Sequence, residues 1–290
     1  MKILGIHGIG QTYLGATMLK QHWSPALIDG LSAGGYVTPL VDSDFEMVSY
    51  GQLFRPSAVR TATDPVIDPK DLTSDEQDLL VAWWAEAARL SAESTGDDRS
   101  EARIIQRPDF QGRGRTPQIV QRALRQLSKS YFFRGLGLDH AVLLAVRQVR
   151  LFLHDAKFKQ SILDCVTKYV REEPRVIVAH SLGSVVAYEA LCLNLGWKVD
   201  TLVTIGSPLG IRSLVFDALT PKPTGDKGQW PFVRQWINVA DRGDIVAIEK
   251  SLAPRFGKVT DVLVYNGWKS HDATRYLTSK EVGAAIASGL

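Results

Sequence analysis

Short apolar runs alternate along much of the chain with longer segments whose apolar positions recur at helical spacing. The short runs are typical of strands buried on both faces, because such strands need no polar side. The helical segments cover 14–31, 138–171, 182–195 and 279–288, and the second has a predicted break near 154–157. This alternation predicts an α/β protein with a mostly parallel sheet and helices on both faces. The predicted strands are Lys2–Ile6, Phe45–Tyr50, Arg175–Val178, Thr201–Ile205, Val233–Val239 and Val262–Tyr265.

The pattern changes between residues 52 and 157, where helices are separated by charged and glycine-rich loops. The sequence TSDE at 73–76 is a capping box before an apolar helical stretch. The Thr-Pro pair at 116–117 is a second helix start. Neither helix has a neighbouring strand in the sequence. We therefore expect 52–157 to be a mainly helical insertion, a cap or lid, in a core made of 1–51 and 158–290.

Composition restricts the class of function. The 290 residues are 45% hydrophobic and 22% charged, which is typical of a folded soluble protein. A net charge of +3 is too small to favour nucleic-acid binding. Cys165 and Cys192 lack the spacing of a disulfide framework or a metal site, and the first strand begins too early for a signal peptide. With no apolar stretch of membrane-spanning length, these features predict a cytoplasmic protein without a metal or cofactor.

Ser181 lies in the sequence AHSLG at 179–183, directly after a predicted strand and directly before a predicted helix. This is the context of a nucleophile elbow, in which a strained turn exposes a serine hydroxyl. Ala179 and Gly183 are small, as expected where neighbouring backbones come close. The start of the helix also favours negative charge near the serine. Ser181 is therefore the predicted nucleophile.

A nucleophilic serine needs a base, and the base needs an acid to orient it. His271 is the only histidine after Ser181, which makes it the predicted base. The sequence DRGD follows the predicted strand at 233–239 and offers two acids. Asp244 is the preferred acid, and Asp241 is kept as the alternative because Asp also favours turn positions. Asp272, next to the base, is predicted to be a helix cap.

The negative charge that forms during acyl transfer needs two backbone N–H donors. Leu182 supplies one, and the sequence HGIG at 7–10 supplies the turn for the other, with Ile9 as the expected donor. Together these residues resemble the α/β-hydrolase family, particularly its lipase-like members. The resemblance is carried by HGIG at 7–10, AHSLG at 179–183, TIGSPL at 204–209, WIN at 236–238 leading to Asp244, and HDA at 271–273 leading to Tyr276.

The resemblance implies an α/β-hydrolase fold with a trimmed sheet, since the turn at 7–10 leaves no room for the family's first two strands. Ile245 stands where many relatives have a proline after the acid. The implied activity is hydrolysis of a carboxylic ester through an acyl-enzyme at Ser181. Acyltransferase or peptidase chemistry uses the same groups, and a catalytically silent module that binds lipid or protein has the same fold. The substrate-binding residues and the oligomeric state are left open.

Two further features bear on partners. Residues 101–160 carry a net charge of about +8, and the aromatic sequences at 83–84 and 131–133 lie in the same insertion. Basic and aromatic residues together are consistent with peripheral contact with an anionic membrane surface, although such aromatics more often pack in a core. The expected substrate of the triad is a small-molecule or lipid ester. A dinucleotide-binding alternative is disfavoured, because the sequence GIGQTY at 8–13 lacks the third glycine of the fingerprint.

Overall fold

The computed structural model describes residues 1–55, 69–95, 117–129, 139–170, 173–212 and 214–290. Within these ranges the chain forms one six-stranded sheet with the order β2-β1-β3-β4-β5-β6. Every neighbouring pair of strands is parallel. The strands are β1 (Ile3–Ile6), β2 (Phe45–Val48), β3 (Val176–His180), β4 (Thr201–Ile205), β5 (Gln235–Asp241) and β6 (Thr260–Val264).

The apolar runs form strands because both faces of the sheet are covered. All residues of β1 and β4 are buried, as are the first four of β3. Parallel strands buried on both faces are apolar at nearly every position. These strands therefore lack the alternation of apolar and polar residues that is typical of a half-exposed sheet. The predicted α/β class is confirmed, and the sheet is parallel throughout the described residues. The helices are α1 (Ala16–Ala33), α2 (Ser74–Thr95), α3 (Pro117–Lys129), α4 (Asp139–His154), α5 (Ala156–Val170), α6 (Leu182–Leu193), α7 (Ala253–Phe256), α8 (Ala273–Thr278) and α9 (Lys280–Ala287).

Helix α1 covers one face of the sheet together with α8 and α9. Its buried side chains recur at three- and four-residue spacing, so they form one apolar stripe toward the sheet. Helices α5 and α6 contact each other, α5 contacts β2, and α6 contacts β1 and β3. The stripe of α1 consists of Leu19, Trp23, Ala26, Leu27 and Leu31.

The described chain divides into two compact units. One contains residues 1–55 and 151–290, and the other contains 56–150. In the second unit, the backbone N–H of Thr73 donates to Glu76 Oε2 at 2.8 Å, and the N–H of Glu76 donates to Thr73 Oγ1 at 3.4 Å. This reciprocal pair is the capping box that the sequence predicts at the start of α2.

Helices α2 and α3 pack together within the second unit. Trp83 and Trp84 of α2 are only 1% and 2% exposed, and the guanidinium of Arg122 lies 5.8 Å from the Trp84 ring centre. Both rings are therefore buried side chains of this unit, as aromatic residues of an amphipathic helix more often are. The other aromatic sequence, at 131–133, lies outside the described residues.

The predicted break in the long helical segment is confirmed. Helix α4 ends at His154 and α5 begins at Ala156. Asp155 separates them, and its carboxylate accepts a hydrogen bond of 3.0 Å from the backbone N–H of Phe158. This contact caps the first turn of α5, so a new helix begins here. No helix in the described ranges has both the length and the apolar character needed to cross a bilayer.

Candidate active site

The candidate residues follow strands that end at the same edge of the sheet. In a parallel sheet, the carboxyl ends of all strands meet at one edge. The turn at 7–10 follows β1, Ser181 follows β3, and Asp244 and His271 lie in the loops after β5 and β6. The chain passes from β1 to β2 on one side and returns to β3 on the other, so the sheet order reverses between β1 and β3. Crevices at such reversal points are the usual ligand sites of open α/β sheets.

Ser181 occupies the turn between β3 and α6. Its φ is +54°, a left-handed conformation that costs a residue with a Cβ about 1–3 kcal/mol. The backbone N–H of Ser181 donates to Ile205 O at 3.1 Å, which ties the turn to the end of β4. Because the helix begins with Leu182, the N-terminus of α6 lies beside the serine. The local geometry is the strained strand-to-helix turn that the sequence predicts.

Two glycines allow the turn after β1 to pack directly on this strained turn. A Cβ at Gly183 would lie 2.3 Å from His7 O and 2.4 Å from Ile6 O, which leaves no room for a side chain. A Cβ at Gly8 would lie 2.6 Å from the Cβ of Ser181. The turn that contains Ile9, the expected oxyanion donor, is therefore in contact with the expected nucleophile.

His271 and Asp244 form a buried hydrogen-bonded pair. The ring atom Nδ1 of His271 donates to Asp244 Oδ2 at 2.7 Å, and the two residues are 6% and 0% exposed. The second carboxylate oxygen of Asp244 accepts from the backbone N–H groups of Val246 at 2.9 Å and Ala247 at 3.2 Å. Both oxygens are thus fixed, and the imidazole is held by its δ nitrogen.

The charge state of Asp244 follows from competing effects. Burial raises the pKa of Asp244, but the nearby His271 and the Lys250 ammonium outweigh this, with hydrogen bonds from His271 and Tyr276, and lower it to about 2. Asp244 is therefore ionised at neutral pH despite its burial. An ionised carboxylate on Nδ1 leaves Nε2 of His271 as the nitrogen that can accept a proton.

Asp241, the alternative acid, has a different environment. Its Oδ1 accepts from the backbone N–H of Gly243 at 2.6 Å, and its Oδ2 accepts from the backbone N–H of Asn266. The first bond closes the turn after β5, and the second joins the ends of β5 and β6. Burial raises the pKa of Asp241. The geometry therefore brings Asp244 to His271 and gives Asp241 a role in the turn. Asp272 caps α8 as expected, accepting from the N–H groups of Thr274 and Arg275.

Sequence reasoning did not assign a role to Tyr276. Its hydroxyl donates to Asp244 Oδ2 at 2.8 Å and accepts from the backbone N–H of Asp241 at 2.7 Å. Tyr276 is fully buried, and it connects Asp244 to helix α8. A tyrosine five positions after His271 carries no sequence signal for this contact, because the bond spans 32 residues.

His180, next to Ser181, also contacts His271. Its Nε2 donates to the backbone carbonyl of His271 at 2.8 Å, and the two ring centres are 4.6 Å apart. Removal of the ring from water, reinforced by the positive charge that His271 can carry, lowers the pKa of His180 to about 3. His180 is therefore neutral near pH 7 and holds the loop that carries His271.

The site is built from side chains and backbone groups of the protein. Among the described residues, no group of three or more His, Cys, Asp or Glu side chains is placed to hold a metal ion. We compared the chain with protein-family models, with curated proteins and with solved structures, and none of the three comparisons gave a match. The class of protein must therefore be proposed from the geometry of the site.

Proposed function

We propose that the protein is a serine hydrolase of the α/β-hydrolase type that cleaves carboxylic esters through an acyl-enzyme at Ser181. The observation that carries the proposal is the buried 2.7 Å bond between His271 Nδ1 and Asp244 Oδ2, at the edge of the sheet where Ser181 sits in a strained turn. Serine, acid and histidine follow one another in the chain in the order typical of this class.

The proposed reaction has two halves. Ser181 Oγ attacks the ester carbonyl carbon while its proton passes to Nε2 of His271. The resulting oxyanion accepts hydrogen bonds from the backbone N–H groups of Ile9 and Leu182. When the tetrahedral intermediate collapses, the carbon–oxygen bond to the alcohol breaks and the alcohol leaves with the proton from His271. Water then attacks the acyl-enzyme by the same route, releasing the acid and restoring the serine.

Asp244 supports this chemistry electrostatically. Its carboxylate remains ionised through the reaction, as the low pKa indicates, and it stabilises the imidazolium that forms each time His271 takes a proton. It also holds the proton of the ring on Nδ1 in the resting state, so that Nε2 is the acceptor.

The start of the chain supports this proposal over nucleotide binding. In a dinucleotide site, the glycine turn leads directly into a helix whose N-terminus holds the pyrophosphate. Here β1 ends at Ile6 and α1 begins only at Ala16, after a turn that packs on Ser181.

Both cysteines, Cys165 and Cys192, are free thiols, which fits our proposal of a cytoplasmic enzyme.

Hydrolysis of p-nitrophenyl esters of increasing acyl length tests the proposal. We expect wild-type protein to release a burst of nitrophenol close to one equivalent per chain, because acylation of Ser181 precedes the slower release of the acid. The length series, run with and without anionic vesicles, distinguishes small esters from lipid esters as substrates.

The matched variants are Ser181→Ala and Ser161→Ala. Ser161 is an exposed residue of α5 whose hydroxyl donates to Lys157 O, so its loss changes a serine without touching the site. Ser181→Ala should abolish both the burst and turnover, and Ser161→Ala should retain them. Turnover by Ser181→Ala at the wild-type rate would overturn the proposal.

A further inference from the structure

The side chain of His7 is bonded to the turn that contains the proposed oxyanion donor. His7 is 2% exposed, and its Nδ1 lies 2.7 Å from Gly8 O. The carbonyl of Gly8 and the N–H of Ile9 belong to one planar peptide group, in which the two bonds point in opposite directions. A hydrogen bond that fixes the Gly8 carbonyl therefore also fixes the direction of the Ile9 N–H.

The protonation of His7 is set by its second ring nitrogen. Nε2 accepts a hydrogen bond from the backbone N–H of Tyr50 at 3.3 Å, and a nitrogen that accepts cannot carry the proton of a neutral ring. The proton therefore lies on Nδ1, where it can be donated to Gly8 O. Burial lowers the pKa of His7 to about 4, so the ring is neutral near pH 7.

Tyr50 holds His7 in this orientation. The two rings stack with centres 4.1 Å apart and planes 16° apart, and the Tyr50 hydroxyl donates to the backbone carbonyl of His7. Tyr50 is fully buried and follows β2, which pairs with β1 along its length. The ring of His7 is thus restrained by stacking and by hydrogen bonds at both of its nitrogens.

We propose that His7 is a positioning residue of the oxyanion site, and that its Nδ1–H sets the Gly8–Ile9 peptide so that the Ile9 N–H faces the reacting carbonyl. Tyr50 fixes the tautomer that makes this possible. The inference rests on the proposed function and adds to it. His7 touches neither substrate nor reacting atoms and acts through the backbone of the next two residues.

A pair of amide substitutions at position 7 tests the proposal. His7→Asn places an amide N–H near the position of Nδ1 and can still donate to Gly8 O. His7→Gln places its amide near Nε2 and loses that donor. Because loss of an oxyanion donor lowers kcat by about 10²–10³-fold, we expect His7→Gln to lose about 10–100-fold in kcat at nearly unchanged KM, and His7→Asn to retain a clearly larger share.

The thermal midpoint of each variant is measured alongside, because a merely structural role would lower stability without separating kcat from KM. Equal kcat for folded His7→Asn and His7→Gln would overturn the inference. Imidazole ¹⁵N NMR reports the tautomer of His7 directly in the wild-type protein. We expect a protonated Nδ1 and an unprotonated Nε2 for His7, and the opposite tautomer would also overturn it.

The two proposals fail in different ways. If wild-type protein forms no acyl-enzyme at Ser181, the proposed hydrolase function is wrong. If it does so, and His7→Gln is folded with a kcat within twofold of wild type, the hydrolase function stands and the role of His7 is wrong.

Discussion

At the scale of single residues, sequence spacing does not decide which of two aspartates is the partner of His271. Asp241 and Asp244 lie three positions apart in one short loop, and either spacing is compatible with a triad. Their hydrogen bonds differ, since Asp244 accepts one from the His271 ring and Asp241 accepts two from the backbone N–H groups of Gly243 and Asn266. The two carboxylates are distinguished by the direction in which each side chain points, and the local sequence does not determine that direction.

Asparagine substitutions at the two positions give a matched test. We expect Asp244→Asn to lower kcat by about 10⁴-fold, because a neutral amide cannot stabilise the imidazolium and does not fix the correct tautomer. Asp241→Asn should lower kcat by less than about tenfold and act mainly on stability, since it weakens bonds that close the turn. Steady-state kinetics with thermal unfolding of both variants checks this. A larger loss of kcat in Asp241→Asn than in Asp244→Asn would contradict the assignment.

His180, Tyr50 and Tyr276 show the limit of reading residues from sequence. Their bonds to the site join positions 91, 43 and 32 apart, and periodicity reports only on neighbours within a few turns. Ser181 and His271 could be proposed from the sequence, because one has a strand and a helix beside it and the other is the last histidine of the chain. The three side chains that support the site could not be identified from the sequence in this way.

At the scale of elements, apolar runs located all six strands of the described sheet, but with errors at their ends. The strand predicted over Val233–Val239 is Gln235–Asp241, because pairing of Gln235 with Thr201 sets where it begins. Helix α1 was expected from Leu14 and starts at Ala16 instead, after the non-helical Gly15. Element ends depend on neighbouring strands and on caps, and periodicity reads these poorly.

The contact between the strained turn and β1 gives a prediction at this scale. Gly183→Ala places a methyl group within 2.4 Å of two backbone oxygens, so the start of α6 must move away from β1. We expect a loss of about 1–3 kcal/mol in the free energy of unfolding, with reduced kcat. Gly196→Ala is the control, because its Cβ would meet no heavy atom within 4 Å.

Urea unfolding of both glycine variants measures the difference. The control should stay within about 0.5 kcal/mol of wild type, as is usual for surface substitutions. Wild-type stability and activity in Gly183→Ala would show that the start of α6 does not pack on the end of β1 as described.

At the scale of the whole molecule, the order of the strands in the sheet brings the residues of the candidate site together. Apolar runs predict strands and parallel pairing, but they do not say which strands are neighbours. The observed order puts β1 beside β3, and so brings the turn at 7–10 to Ser181 across about 170 residues of sequence. The second unit, residues 56–150, lies in the chain between β2 and β3, and its described residues add no strand to the sheet.

We propose that Ser181 is a nucleophile activated by His271 and Asp244. The most direct measurement is reaction of the folded protein with a fluorophosphonate, followed by intact-mass analysis and peptide mapping. We expect one phosphonyl group per chain, located on Ser181, and slow labelling when His271 is replaced by alanine. Labelling of another residue, or equal labelling of wild type and Ser181→Ala, would contradict it.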